Sequence, residues 1–255
     1  MAEERAKTPP VLATRGLSHS FGGLAVVRDV SISLRQGELH AVIGPNGAGK
    51  TALINILSGA IRPTAGRIEL AGREVAGEPA WRMARLGVGR SFQRTNIFLA
   101  LSVLENVRLA AQAIGAPPGR LLRNAAQENT LIERAQRALA RVGLAELSMR
   151  SAYTLSHGEQ RQLEIAMTLG GAPKVLLLDE PLAGMGVEES ERMTALIKQL
   201  AREHAVLLIE HDMDFVFAVA DWMTVMAEGR VLAEGPREAI RANAAVQRAY
   251  LGGHA

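Results

Sequence analysis

One segment of this 255-residue chain constrains its fold more than any other: Gly44-Pro45-Asn46-Gly47-Ala48-Gly49-Lys50-Thr51. It follows the short apolar run His40-Ala-Val-Ile43, which stops at Gly44 as a buried strand would. It precedes a helical pattern from Lys50 to about Ser58, with Leu53, Ile54 and Leu57 on one face. The order is therefore strand, glycine loop, helix. Such glycines let the backbone curl so that several N–H groups point inward, where phosphate oxygens can accept them. The helix N-terminus adds partial positive charge. Lys50 is placed to reach the β- and γ-phosphates of a nucleotide, and the Thr51 hydroxyl to ligate Mg²⁺. The plainer reading is a glycine-rich turn, which the strand–helix context disfavours. Residues 44–51, with Ala52 in the first helical turn, are the candidate ATP-binding segment.

The remaining pattern is built around that unit. Residues 1–10 read as a flexible polar start ending at Pro9-Pro10. From Val11 the periodicity is two, and Val30, Ile32 and Leu34 alternate with Ser31, Ser33 and Arg35, predicting a strand with one buried face. Further strands are expected around Ile68–Leu70 and over Gly87–Phe92. Ser102-Val-Leu-Glu105 has capping-box spacing and opens a helix towards Ile114. Gly115 to Gly119, with Pro117-Pro118, breaks it, and residues 121–142 are rich in good helix formers. Another helix is expected from about Ser156, so residues 95–170 read as a helical insert. Strand and helix then alternate: Val175–Leu178, a helix from Glu188 to about Glu203, Ala205–Ile209, and a helix from about Met213. That alternation argues for a parallel sheet with helices on its faces. The end reads as a hairpin turned at Gly229, then short helices over about 236–251.

The second chemical signal is Val175-Leu-Leu-Leu178-Asp179-Glu180, an apolar strand that ends in two carboxylates. A buried sheet presents Asp to Mg²⁺ at this edge, so Asp179 is the candidate metal ligand and Glu180 the candidate base for the attacking water. Leu155-Ser156-His157-Gly158-Glu159 offers a helix cap at Ser156 and accessible N–H groups around Gly158, which together make a second anion site. On spacing alone the ordinary N-cap is favoured. Gln93 lies just past a strand, where a lone Gln is normally exposed. His211 follows a core strand and Glu210; a lone His is more often structural, yet this one stands at the ligand edge of the sheet. Phe21, before Gly22-Gly23, can stack on a base or belong to the core.

Composition excludes other classes. Hydrophobic residues make up 48% and charged residues 22%, which suits neither disorder nor a fibrous repeat. Apolar runs such as Ala205–Ile209 fall far short of the roughly 20 residues of a membrane span. The N-terminus lacks the pattern of a signal peptide. Cysteine is absent, excluding disulfide scaffolds and cysteine metal sites. Net charge is +3, with 25 Arg against 4 Lys and no run of five like charges, so no nucleic-acid surface is indicated.

Taken in order, these residues resemble the ATP-binding subunit of an ABC transporter over about residues 11–251. The resemblance implies an α/β fold: a P-loop NTPase core, mostly parallel with an N-terminal antiparallel β part, plus a helical insert subdomain. It implies one ATPase domain over 11–255. By position, it makes Gly44–Thr51 the phosphate loop, Leu155–Glu159 the signature motif, and Asp179 and Glu180 the Mg²⁺ ligand and catalytic Glu. Gln93 takes the place of the Q-loop glutamine, catalytic and metal-contacting; His211 that of the switch histidine; Phe21 that of the adenine-stacking aromatic. Two such subunits are expected head to tail, with Ser156, Gly158 and Glu159 of one facing the γ-phosphate on the other. Closure on ATP would drive transmembrane partners.

Three positions depart from the family pattern: His157 stands for a signature glycine, Glu159 for the glutamine, and Leu182-Ala-Gly-Met-Gly186 lacks the D-loop aspartate. His157 can face the γ-phosphate or turn aside. Arg90–Phe98, Leu182-Ala-Gly184, the long insert and Tyr250-Leu-Gly-Gly253 are similar to the larger ATPase subunit of branched-chain (hydrophobic) amino-acid importers. That likeness implies ATP and Mg²⁺, two permease subunits, a second ATPase (a related chain or a second copy), a periplasmic binding protein acting indirectly, and a peripheral place on the cytoplasmic face of the bacterial inner membrane. Urea or short-amide importers and the lipopolysaccharide-export ATPase are similar alternatives. A soluble ABC ATPase on ribosomes or DNA fits less well, since this chain has one domain and no heptad run. Glu180 and His211 argue against a switch that does not hydrolyse.

Overall fold

The computed structural model describes residues 5, 8–93, 95–115 and 125–251. Most of the expected flexible start, Arg94, the Pro117-Pro118 break, residues 121–124 and the Gly252-Gly253 ending lie outside them.

Strands β1 (Leu12–Phe21), β2 (Leu24–Val30), β3 (Ser33–Leu34), β5 (Ala65–Leu70) and β6 (Arg73–Glu74) form an antiparallel sheet of order β2-β1-β5-β6, with β3 paired to β1. A six-stranded sheet contains β4 (Leu39–Ile43), β7 (Val88–Arg90), β8 (Val175–Asp179), β9 (Ala205–Ile209), β10 (Trp222–Ala227) and β11 (Arg230–Pro236). Its order is β11-β10-β4-β9-β8-β7, and every pair is parallel except the β10–β11 hairpin. The helices are α1 (Lys50–Leu57), α2 (Ala80–Leu86), α3 (Val103–Gly115), α4 (Ala125–Arg141), α5 (His157–Gly170), α6 (Val187–Ala201), α7 (Met213–Val219), α8 (Arg237–Arg241) and α9 (Ala244–Leu251). The α/β reading of the sequence is thus the observed architecture.

The central strands are buried on both faces, and their two-residue period divides them between two cores. Val175 and Leu177 of β8, with Leu207 and Ile209 of β9, pack with Leu53, Ile54, Ile56 and Leu57 of α1. That same core holds Leu12, Leu17, Val27 and Leu34, so α1 lies between the two sheets. Leu176 and Leu178 face the other way, into a core with Val107 of α3, Leu139 of α4, Leu163 of α5 and Ile197 of α6. One strand therefore ties α1 to the helices of residues 95–170.

The structure corrects one strand and shortens another. The expected strand over residues 30–35 is interrupted: β2 ends at Val30, and only Ser33–Leu34 return to pairing. The predicted burial survives, with Val30, Ile32 and Leu34 all within 3% of full burial. The interruption has a local cause. Thr14 Oγ1 donates to Val30 O and accepts from Ile32 N–H, each at 3.0 Å, so a side chain replaces part of the ladder. The strand expected over 87–92 covers only Val88–Arg90; after one further bond, Ser91 N–H to Leu177 O, the chain leaves the sheet. Helix α2 and strand β6 went unread because neither carries a clear apolar period.

Thr14→Val should strand both backbone groups, the Val30 carbonyl and the Ile32 N–H, in a buried site. We expect a loss of about 1–3 kcal/mol. A lower denaturant midpoint at unchanged m-value would show it.

Candidate functional site

Register places the site. Val42 is level with Ile209, and Ile209 with Asp179, so β4, β9 and β8 finish together. The residues that follow are Gly44 after β4, Glu180 after β8, and Glu210 and His211 after β9. An open parallel sheet holds ligands beyond its carboxyl edge.

The loop Gly44–Gly49 is shaped by its neighbours. A Cβ at Gly44 would stand 2.2 Å from Met226 O, and one at Gly49 2.4 Å from Val26 O, so neither position accepts a side chain. Gly229 N–H donates to Ala48 O, fixing the loop to the β10–β11 turn. The α1 N-terminus has no side-chain cap and no acidic residue in its first turn. Its free N–H groups and dipole thus remain for an anion. Lys50 Nζ meanwhile donates to Gly44 O (2.6 Å) and Pro45 O (3.1 Å). Burial lowers the Lys50 pKa, against the opposing charges of Glu180 and Asp179. A cation partly stripped of water and facing an open loop is well matched to phosphate.

Asp179 is buried, and its nearest basic partner is Arg90 Nη2 at 3.6 Å. Burial raises its pKa while Arg90 pulls it down. Arg90 is itself held by Asn55 Oδ1 (2.7 Å) and Ser58 Oγ (2.9 Å) at the end of α1. Glu180 has a left-handed backbone (φ 48°), and its N–H donates to Ile209 O at 2.9 Å. Such a conformation costs a non-glycine residue about 1–3 kcal/mol, so the surrounding structure must impose it. It turns the carboxylate out over the edge. There Gln93 Nε2 donates to Glu180 Oε2 at 2.8 Å, and His211 Nδ1 stands 3.8 Å from Oε1. Glu210 is buried below, accepting the N–H groups of Leu182 and His211, and burial raises its pKa. The structure therefore brings Gln93, Asp179, Glu180 and His211 to one edge. The oxygen donors available, the Thr51 hydroxyl, the Asp179 carboxylate and the Gln93 amide oxygen, are of the hard type Mg²⁺ takes. Among the described residues no cluster of three His or acidic side chains could hold a metal unaided. Mg²⁺ with few protein ligands and bound phosphates matches that arrangement.

The candidate second anion site of the sequence falls at the start of α5. Ser156 is a full capping box: its hydroxyl accepts Glu159 N–H (3.2 Å), and the Glu159 carboxylate accepts Ser156 N–H (2.7 Å). Glu159 is thereby committed to the cap. Glu189 of α6 covers the same terminus, with Oε1 accepting from Ser156 Oγ at 3.1 Å and Gly158 N at 3.3 Å. His157 Cε1 lies 3.3 Å from where a Cβ of Gly184 would be, and Gly184 has φ +78°. Two of the departures in sequence are thus neighbours in space. Phe21, at the tip of the β1–β2 hairpin, is 53% exposed and meets His19 edge-on at 4.5 Å.

Sequence reading missed Arg90, Glu210 and Glu189, and with them Arg161 and Glu164 of α5. Arg161 and Glu164 are only 5% and 4% exposed. Two opposite charges three residues apart, in a stretch whose other residues at Leu163, Ile165 and Ala166 are apolar, were the available signal.

Comparison with known proteins agrees with this geometry. The sequence model of the ABC transporter family matches residues 27–183, and that of the branched-chain amino acid ATP-binding cassette transporter matches residues 230–255. The high-affinity branched-chain amino acid transport ATP-binding protein LivG of Salmonella typhimurium is 42% identical over 250 residues, covering 95% of this chain and 98% of the relative. BraF of Pseudomonas aeruginosa, of the same description, is 40% identical over 255 residues with the same coverage. Among solved structures, an ATP-binding cassette of an ABC transporter in its ADP conformation superposes with TM-score 0.84 at 27% identity, over 96% of this chain and all of the other. The fold, the level edge of glycine loop and carboxylates, and these likenesses together make the chain a member of the ATP-binding subunits of ABC transporters.

Proposed function

We propose that this chain hydrolyses ATP to power an importer of branched-chain or other hydrophobic amino acids. Two kinds of support carry the substrate class: the printed descriptions of LivG and BraF, and the match of residues 230–255 to the branched-chain cassette model. The hydrolytic part rests above all on Gln93 and Glu180, which meet at 2.8 Å beside the phosphate loop.

In this reading Gly44–Ala52 enclose the phosphates with backbone N–H groups, and the Lys50 ammonium leaves its carbonyl partners for the β- and γ-phosphates. Thr51 and Asp179 would hold Mg²⁺, with the Gln93 side-chain amide oxygen as a further ligand; when bound, the ion would neutralise charge on the transferred phosphoryl group. Glu180 orients the attacking water and takes its proton at a carboxylate oxygen. Gln93 fixes that carboxylate, and His211 lies on its other side, where it can contact the γ-phosphate. Phe21 stacks on the adenine. A facing ATPase subunit, a related chain or a second copy, receives Ser156 and Gly158 on its γ-phosphate.

Among the described residues no helix is long and apolar enough to cross a membrane. The membrane connection is through partners, namely two permease subunits, with a periplasmic binding protein delivering cargo to them. The chain then lies peripherally on the cytoplasmic face of the inner membrane. Exposed Phe98 and Leu99, beside Gln93 in sequence, are apolar surface suited to a permease.

Three outcomes are expected. Glu180→Gln keeps ATP affinity within about twofold and lowers turnover by on the order of 10²-fold or more; unaltered turnover would remove Glu180 from the base role. Lys50→Ala loses nucleotide binding, read by equilibrium titration with a fluorescent ATP analogue. Affinity purification of the tagged chain from membranes returns multi-span proteins, and reconstituted complexes take up leucine, isoleucine or valine with ATP; uptake of urea alone would redirect the substrate class.

A further inference from the structure

The signature helix α5 carries a polar stripe on its inner face: Arg161, Glu164 and Thr168, spaced three and four residues apart. Each reaches the last residue of β7 or the segment that follows it. Arg161 Nη1 donates to Phe92 O at 2.5 Å, and Nη2 donates to Gln93 O. Glu164 Oε1 accepts Phe92 N–H at 2.9 Å, and Thr168 Oγ1 reaches Arg90 O at 3.4 Å. The two charges also pair with each other at 3.3 Å. Both the N–H and the C=O of Phe92 are thereby held by one helix, together with the C=O of Gln93.

A buried ion pair seldom stabilises a fold beyond what apolar residues of similar volume would give. Retaining one here needs another explanation, and the backbone it grips supplies it. Gln93 has no regular structure around it: β7 ends at Arg90 and α3 begins at Val103. Its side chain nonetheless ends 2.8 Å from Glu180. The placement of that amide is set by the main chain at 92–93, and the main chain at 92–93 is set by α5.

We propose that Arg161 and Glu164 are positioning residues for hydrolysis, holding Gln93 in register with Glu180. This rests on the hydrolytic roles of Gln93 and Glu180 given above. It adds a consequence: the helix that bears Ser156 and Gly158 at its N-terminus also sets the amide against the base of its own chain. Displacement of α5 by a facing subunit is then felt at Glu180 without the missing D-loop aspartate.

The test uses the full-length chain in four forms: wild type, Arg161→Lys, Glu164→Gln, and the double variant Arg161→Met/Glu164→Leu. The double variant removes both charges together, so no unpaired charge is left buried and the fold should hold. We expect its kcat to fall on the order of tenfold or more, with KM and the Kd for a fluorescent ATP analogue within about twofold. Amide exchange should speed up over residues 90–93 and stay unchanged in α1. Arg161→Lys, which can still donate to both carbonyls, should recover most of the kcat. Glu164→Gln should fall between. Wild-type kcat in a folded double variant overturns the proposal, as does a parallel loss of Kd and kcat, which marks a merely structural role. Should the double variant not fold, wild-type kcat in Glu164→Gln with faster Phe92 exchange overturns it as well. Glu180→Gln is measured alongside. If it retains turnover, the base assignment fails; if it does not and the α5 variants match wild type, only the clamp fails.

Discussion

The level ending of three parallel strands is the constraint on which the rest depends. Val42, Ile209 and Asp179 stand side by side, and the ladder bonds that align them are buried on both faces. A one-residue slip of β8 would exchange its two cores and put Asp179 on the wrong face. Because the register is held by Leu176 and Leu178 on one side and Val175 and Leu177 on the other, the carboxylate pair emerges at a fixed height beside the glycine loop. Glu180 then needs only one left-handed residue to turn outward.

That edge gathers groups whose charged forms are costly to bury. The pKa of Asp179, Glu210 and Glu164 is raised by burial, and that of Lys50 is lowered. Arg90, Arg161 and backbone N–H groups offset part of the cost. The proposed ligands, phosphate and Mg²⁺, bring the complementary charges. A similar economy operates at α5, where the Glu189 carboxylate accepts from the Ser156 hydroxyl and the Gly158 N–H.

Much of this was legible in the sequence. The glycine loop, the strand ending in Asp179-Glu180 and the strand before His211 each combine a local pattern with an unmistakable position, and the structure brings them together. The cap at Ser156 was readable too, because a capping box is local. What escaped were side chains whose meaning is tertiary. Arg90 reads as a strand residue until Asn55, Ser58 and Asp179 surround it. Arg161 and Glu164 read as ordinary helix formers until the segment at 92–93 lies across them. The interrupted strand at 30–35 failed for the same reason: its periodicity was right, and a threonine sixteen residues away decided its pairing. His157 and Gly184 looked like separate departures from the family pattern, and only the fold makes them neighbours.

The central claim is that the glycine loop and the strand edge form one nucleotide site. A crystal structure of Glu180→Gln with ATP and Mn²⁺ in place of Mg²⁺ addresses it directly through the anomalous signal of the metal. The account predicts one metal peak per nucleotide, bonded to Thr51 Oγ1, to the β- and γ-phosphates, and within ligand reach of Asp179, with Lys50 Nζ turned from Gly44 O onto phosphate. A nucleotide whose phosphates lie elsewhere, or a metal peak remote from both Thr51 and Asp179, would contradict it.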